Sequence, residues 1–164
     1  MRIKTELSER PPEFTVAREG QKAVIIFYTD VQEVQREGGE TAFEAVSWTI
    51  DASWTDHLEA RIRENKAAWL AEAQAEAYEE AAAQVRSLRD KLLSESDAMT
   101  ALDRFGMDLP DKVTATTMLS VFKEILTAVW KITNGSIGQY RQALRDLPEQ
   151  PGFPFDIDWP NKPE

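Results

Sequence analysis

Near the end of the chain Asp156 and Asp158 flank Ile157, a D-x-D pattern of the kind that can hold a divalent cation. In an extended segment, alternation puts both carboxylates on one side and Phe155, Ile157 and Trp159 on the other. No third or fourth oxygen ligand is signalled nearby, so the pair reads as the solvated face of an amphipathic edge segment. Glu72, Glu76, Glu79 and Glu80 are the other carboxylate group. Acid–base work by paired carboxylates needs a pocket that separates their pKa values, and a wet helix face does not supply one. His57 is the single histidine, and there is no cysteine. That removes thiol catalysis, a disulfide framework and a zinc ribbon, and it leaves His57 without an acid or nucleophile to work with. Gly135-Ser136-Ile137-Gly138 lacks the lysine of a phosphate-binding loop. No catalytic, cofactor-binding or metal-binding residue is assigned, and the chain reads as a non-enzyme.

What remains is binding. Arg141 and Arg145 lie one helical turn apart and suit either an acidic partner or ion pairs with a neighbouring helix. The tail from Glu149 onward carries Pro151, Pro154, Pro160 and Pro163 among Phe153, Phe155, Ile157 and Trp159. Prolines reduce the entropy lost when a segment is ordered, so this is a docking peptide for its own domain or for a partner's groove. The partner-binding candidates are Tyr140, Arg141, Leu144, Arg145, Phe153, Phe155, Trp159 and Pro160. A second apolar surface is expected on the segment 114–133, where Leu119, Phe122, Leu126, Val129 and Trp130 leave only a narrow polar stripe. Such a helix belongs in a core or at a homo-oligomer interface.

The elements that must position these residues divide the chain in three. Of 164 residues, 29 are acidic and 19 basic, for a net charge of −10. That balance argues against nucleic acid as a partner. The longest apolar run, Val24 to Tyr28, is strand-sized, so no membrane span is expected. Met1-Arg2-Ile3-Lys4 does not open a signal peptide, and the reading is a soluble cytoplasmic protein. The fold class is α+β. Residues 1–52 read as a small antiparallel sheet of four strands, at 14–17, 22–29, 31–35 and 43–50, after a loose segment ending at Pro11-Pro12. A switch of apolar parity between Phe43 and Val46, Trp48 and Ile50 suggests a bulge or a twist in the last strand, and the strand edges are suited to adding a client strand.

Residues 53–95 form a long Ala-rich helix that Ser53 is expected to cap. Its apolar line runs through Trp54, Leu58, Ile62, Trp69, Ala73, Ala77, Ala81, Val85, Leu88 and Leu92. The ends step near a coiled-coil heptad, while Ala73 to Val85 advances by fours and unwinds a left-handed seam. Residues 96–164 make a helical module: Ser94 to Asp97 interrupts the rod, a short helix covers 97–105, and a helix follows over 114–133. Asn134-Gly135 supplies a C-cap and Ser136 a new N-cap. A last helix over 137–147, stopped by Pro148, leads into the extended aromatic tail.

Two blocks in this module carry a resemblance. Arg89-Asp90-Lys91-Leu92-Leu93-Ser94-Glu95-Ser96-Asp97 is the first. Tyr140-Arg141-Gln142-Ala143-Leu144-Arg145-Asp146-Leu147, with Gln150-Pro151-Gly152-Phe153-Pro154 and Ile157-Asp158-Trp159-Pro160, is the second. Together they resemble the C-terminal module of bacteriophage tail assembly chaperone proteins and, more loosely, of tail fibre assembly proteins. Two departures stand out: Ala98 replaces a tryptophan after the Ser-Asp pair, and residues 99–136 insert an apolar helix where the family has a short connector. The resemblance implies a phage or prophage protein that acts in tail or tail fibre assembly by holding a tail protein. It also implies residence in the host bacterial cytoplasm or retention in the virion tail. The other reading is an oligomeric structural component of the baseplate or fibre.

Overall fold

The computed structural model describes residues 1–36, 39–97 and 115–163, without the side chains of 115–120, 128 and 131–133. Strands β1 (Arg2–Leu7), β2 (Phe14–Glu19), β3 (Lys22–Gln35) and β4 (Thr41–Ser53) come first. Helices α1 (Leu58–Glu64), α2 (Lys66–Asp97), α3 (Ala115–Asn134) and α4 (Ser136–Arg145) follow, and a 3-10 turn spans Leu147–Glu149. The class is α+β, with an N-terminal antiparallel sheet, a long helix and shorter C-terminal helices. The chain forms two compact units, Met1–Ala81 and Ala82–Glu164. None of the helices among the described residues is long and apolar enough to cross a membrane.

In the first unit the sheet order is β1-β4-β3-β2. Gly20 takes a left-handed φ of 66°, which glycine adopts without a Cβ penalty, and the β2–β3 hairpin closes there with Glu19 paired to Lys22. Register sets the core. Ile25 faces Ile50 and Phe27 faces Trp48, while Val16 and Phe14 lie beside Ile25 and Phe27 from β2. Side chains two apart share a face, and this face buries Ala23, Ile25, Phe27 and Ile50 against Leu58, Ile62 and Ala73 of the helices. Phe14 and Phe27 meet with ring centroids 5.9 Å apart.

The segment before Pro11-Pro12 is a strand, β1, paired to β4 from Arg2↔Trp48 to Leu7↔Phe43. Residues 31–35 are the continuation of β3 and not a separate strand. The irregularity lies in β3, where Asp30 and Val31 stand opposite Ala45 alone and Asp30 has a φ of 53°. That is a bulge, sited across from the parity switch in β4. Ser53 does not cap a helix: β4 runs through it, and the Trp54 amide donates to the Gln21 carbonyl at 2.9 Å. His57 stands at the N-cap of α1 with no side-chain capping bond. The long helix is interrupted at Asn65, whose φ of −125° is not helical. Its carbonyl accepts from the amides of Ala68 and Trp69 at 3.0 and 3.2 Å, so Asn65 starts α2, a position asparagine favours.

In the second unit α2 continues without interruption through Ser94 to Asp97. The short helix expected over 97–105 falls almost wholly on 98–105, outside the described residues, as does Ala98. Between α3 and α4 the N-cap is Gly135, with extended backbone (φ −77°, ψ −178°), and Ser136 is the first helical residue. The last helix ends at Arg145 and passes into the 3-10 turn at Leu147, which carries Pro148 in its first turn.

Candidate partner-binding site

The sites for chemistry fall out as separate, wet groups. His57, Glu72, Glu76, Glu79, Glu80, Asp156 and Asp158 are all exposed. Among the described residues no group of three or more His, Cys, Asp or Glu is placed to hold a metal ion. The cleft beside the β3 bulge is lined by Lys4, Thr5, Glu6, Asp30, Gln32 and Glu44, and Glu6 is engaged by Arg36 at 2.5 Å.

The second unit gathers the residues of the two sequence blocks. Tyr140, Leu144 and Leu147 fall at helical spacing on one face of α4 and its 3-10 extension, and they are 5%, 0% and 0% exposed. Leu92 and Leu93 of α2 pack on this cluster, together with Ile157 and Trp159 of the tail. Full burial of a leucine contributes roughly 1.5–3 kcal/mol, so Leu144 and Leu147 anchor the cluster. The tail thus lies along its own unit, with Phe153, Phe155, Trp159 and Pro160 half-buried and Arg145 exposed. It forms turns and extended chain, with no strand pairing.

Polar contacts hold the two blocks together. Arg141 Nη1 donates to Ser96 Oγ at 2.6 Å and to Asp97 Oδ1 at 2.6 Å, with the Leu93 carbonyl at 3.3 Å. Ser96 is 1% exposed, and its hydroxyl donates to the Leu93 carbonyl at 2.6 Å, which is how a serine fits inside the last helical turn without breaking it. Buried polar groups need partners, and the guanidinium supplies this one. Of the two alternatives for Arg141, an ion pair with a neighbouring helix is therefore formed. Lys162 adds a longer pair to Glu95 at 3.6 Å.

The tail is folded by its own backbone. Gln150 reads Asp158 as a strand neighbour would: its Nε2 donates to the Asp158 carbonyl at 2.8 Å, and its Oε1 accepts the Asp158 amide at 2.9 Å. The turn between them closes through Phe155 N and Asp156 N, which donate to the Gly152 carbonyl at 2.9 and 2.7 Å. A Cβ on residue 152 would overlap the Asp156 carbonyl oxygen and come within 2.9 Å of the Asp156 Cβ, so only glycine fits. The Phe153–Pro154 peptide is cis. Residue type alone does not single out Gln150 and Gly152 as functional, although both stand in the block Gln150-Pro151-Gly152-Phe153-Pro154.

On α3 the exposed side chains include Phe122, Leu126, Val129 and Trp130; the side chain of Leu119 lies outside the described residues.

No curated protein and no solved structure matches this chain. A family model described as phage tail assembly chaperone protein matches residues 82–164, just over half of the chain and the same residues as the second compact unit. With its two sequence blocks joined through Arg141 and its aromatic tail folded back over α4, the chain belongs to the phage tail assembly chaperone protein family, with a role in phage tail assembly.

Proposed function

We propose that the protein binds and holds a tail or tail fibre protein during morphogenesis, in the host bacterial cytoplasm and without catalysing a reaction. The observation that carries this is the coincidence of the family match, 82–164, with a compact unit whose surface bears the aromatic tail. The client-facing surface is then Arg145 with Phe153, Phe155, Trp159 and Pro160, supported from beneath by Tyr140, Arg141 and Leu144. Aromatic side chains and arginine are the usual anchors of protein interfaces, and a chain of net charge −10 suits a protein client better than nucleic acid.

The test is co-expression with the product of the neighbouring tail or tail fibre gene. Co-purification is expected, and Arg145→Glu should lower recovery about tenfold, the effect of losing ~1.4 kcal/mol, with an unchanged melt. A wild-type chain that retains no tail or fibre protein of its own phage refutes the proposal. A second reading, a structural virion component, is favoured by the exposed apolar side chains of α3. Mass spectrometry of purified particles separates the two, because stoichiometric presence in mature virions excludes a purely transient role.

A further inference from the structure

We infer that α3 is a self-association helix, and that two copies of this chain pair through it in antiparallel fashion about a two-fold axis at Leu126. Every described side chain from Phe122 to Trp130 is exposed, including Phe122 at 59%, Ile125 at 39%, Leu126 at 53%, Val129 at 45% and Trp130 at 65%. These five fall at steps of three and four, which puts them on one helical face. Exposed apolar surface of this extent marks an interaction site.

Area and pattern choose the occupant. Five such side chains offer on the order of 500 Å² of apolar surface, so two copies face to face bury about 1,000 Å², the lower bound for a specific interface. The large residues are symmetric about Leu126, with an aromatic four positions before it and another four after it. An antiparallel copy therefore sets Phe122 of one chain against Trp130 of the other and Leu126 against Leu126, an isologous contact that closes. Offset or edge-on aromatic pairs gain beyond their area. Charge is compatible. Residues 115–134 contain Lys123, Lys131 and Glu124, so this segment is not part of the excess acidity. The remaining charge makes the two chains repel, and salt screens that repulsion. The dimer must therefore tighten as salt is added, whereas a basic client docked on the same face would be weakened. The inference does not rest on the client reading: a chain that dimerises and fails to hold a tail protein separates the two.

Sedimentation of the full chain from low to high micromolar concentration tests it, at low and at high salt. The expected result is a dimer that strengthens with salt. Leu126→Glu and Leu126→Lys alone should each weaken it on the order of a hundredfold or more, and an equimolar mixture of the two should pair again. The chain has no cysteine, so single cysteines report orientation: Phe122→Cys mixed with Trp130→Cys should cross-link, and each alone should not. A monomer throughout the range at both salts overturns the inference, as does a dimer indifferent to Leu126→Glu. Cross-linking of either cysteine variant alone as fast as the mixture overturns the antiparallel arrangement.

Discussion

Removing Arg141 should destabilise the C-terminal module chiefly through a neutral serine and not through its carboxylate partner. The two contacts are equally short, at 2.6 Å each, so distance does not rank them. Burial does. Asp97 is 65% exposed and the Arg141 side chain 18%, so water can take over the carboxylate when the guanidinium is lost, and an exposed pair contributes under about 1 kcal/mol. Ser96 is 1% exposed beneath Arg141, so solvent replaces the donor less readily there than at Asp97. A hydrogen bond from a charged group to such a site contributes about 1.5 kcal/mol or more. With the packing of the arginine stem, Arg141→Ala should cost about 2–3 kcal/mol.

The assay is a pair of double-mutant cycles, Arg141→Ala with Ser96→Ala and Arg141→Ala with Asp97→Ala. Hydrogen exchange of the α4 amides in the full chain reads the local opening free energy. The Ser96 coupling should exceed the Asp97 coupling by about 0.5 kcal/mol or more. Added salt should reduce only the Asp97 term, because exposed charges are the screened ones. A larger coupling to Asp97, or equal loss of both in salt, refutes the claim that burial decides.

Three further outcomes are expected in the tail. Gly152→Ala should open the turn over residues 150–156 and cost about 3 kcal/mol, within the range for strained or overpacked substitutions, seen as lost amide protection at Phe155 and Asp156. Gln150→Ala removes both bonds to the Asp158 backbone and should cost about 1–2 kcal/mol; Gln150→Glu should do no better, since it sets a carboxylate against the Asp158 carbonyl. Trp159→Ala should lower the melting temperature of the module with a loss of about 2 kcal/mol, because the indole packs on the Tyr140, Leu144 and Leu147 cluster. An unchanged melt would mean that the tail does not hold that cluster together.

How much of this was legible in the sequence follows from the physics of each element. The β3 run is dense in β-branched and aromatic residues, and α3 is apolar over most of its circumference, so both are visible at once. β1 is not, because Arg2, Lys4 and Glu6 alternate with Ile3, Thr5 and Leu7, the charged dress of an edge strand; it pairs with β4, more than thirty residues away in the chain. The interruption at Asn65 carries no Gly or Pro, and its one signal is an asparagine inside an alanine-rich run. For Arg141, sequence leaves two partners open. The choice depends on a hydroxyl buried 45 residues earlier, which spacing alone does not show, although Ser96 and Arg141 both stand in the resemblance blocks.

The same residues bear on how client-binding data must be read. Leu92, Leu93, Ser96 and Asp97 of the first block, and Tyr140, Arg141, Leu144, Leu147, Gln150, Ile157 and Trp159 of the second, are engaged with one another inside the module. A side chain that is 5% exposed, as Tyr140 is, or a guanidinium holding a buried hydroxyl, cannot turn to a client without giving up its own fold contacts. A variant at Tyr140 or Arg141 that loses the client therefore reports first on the module's stability, and it counts as a lost contact only if amide protection in α4 is unchanged. Arg145 is different: it is exposed and lies one turn beyond Arg141, clear of the Ser96 and Asp97 pairing. Loss of client binding at Arg145 with the fold intact is the result that would place recognition on the surface of the module, separate from the residues that hold it together.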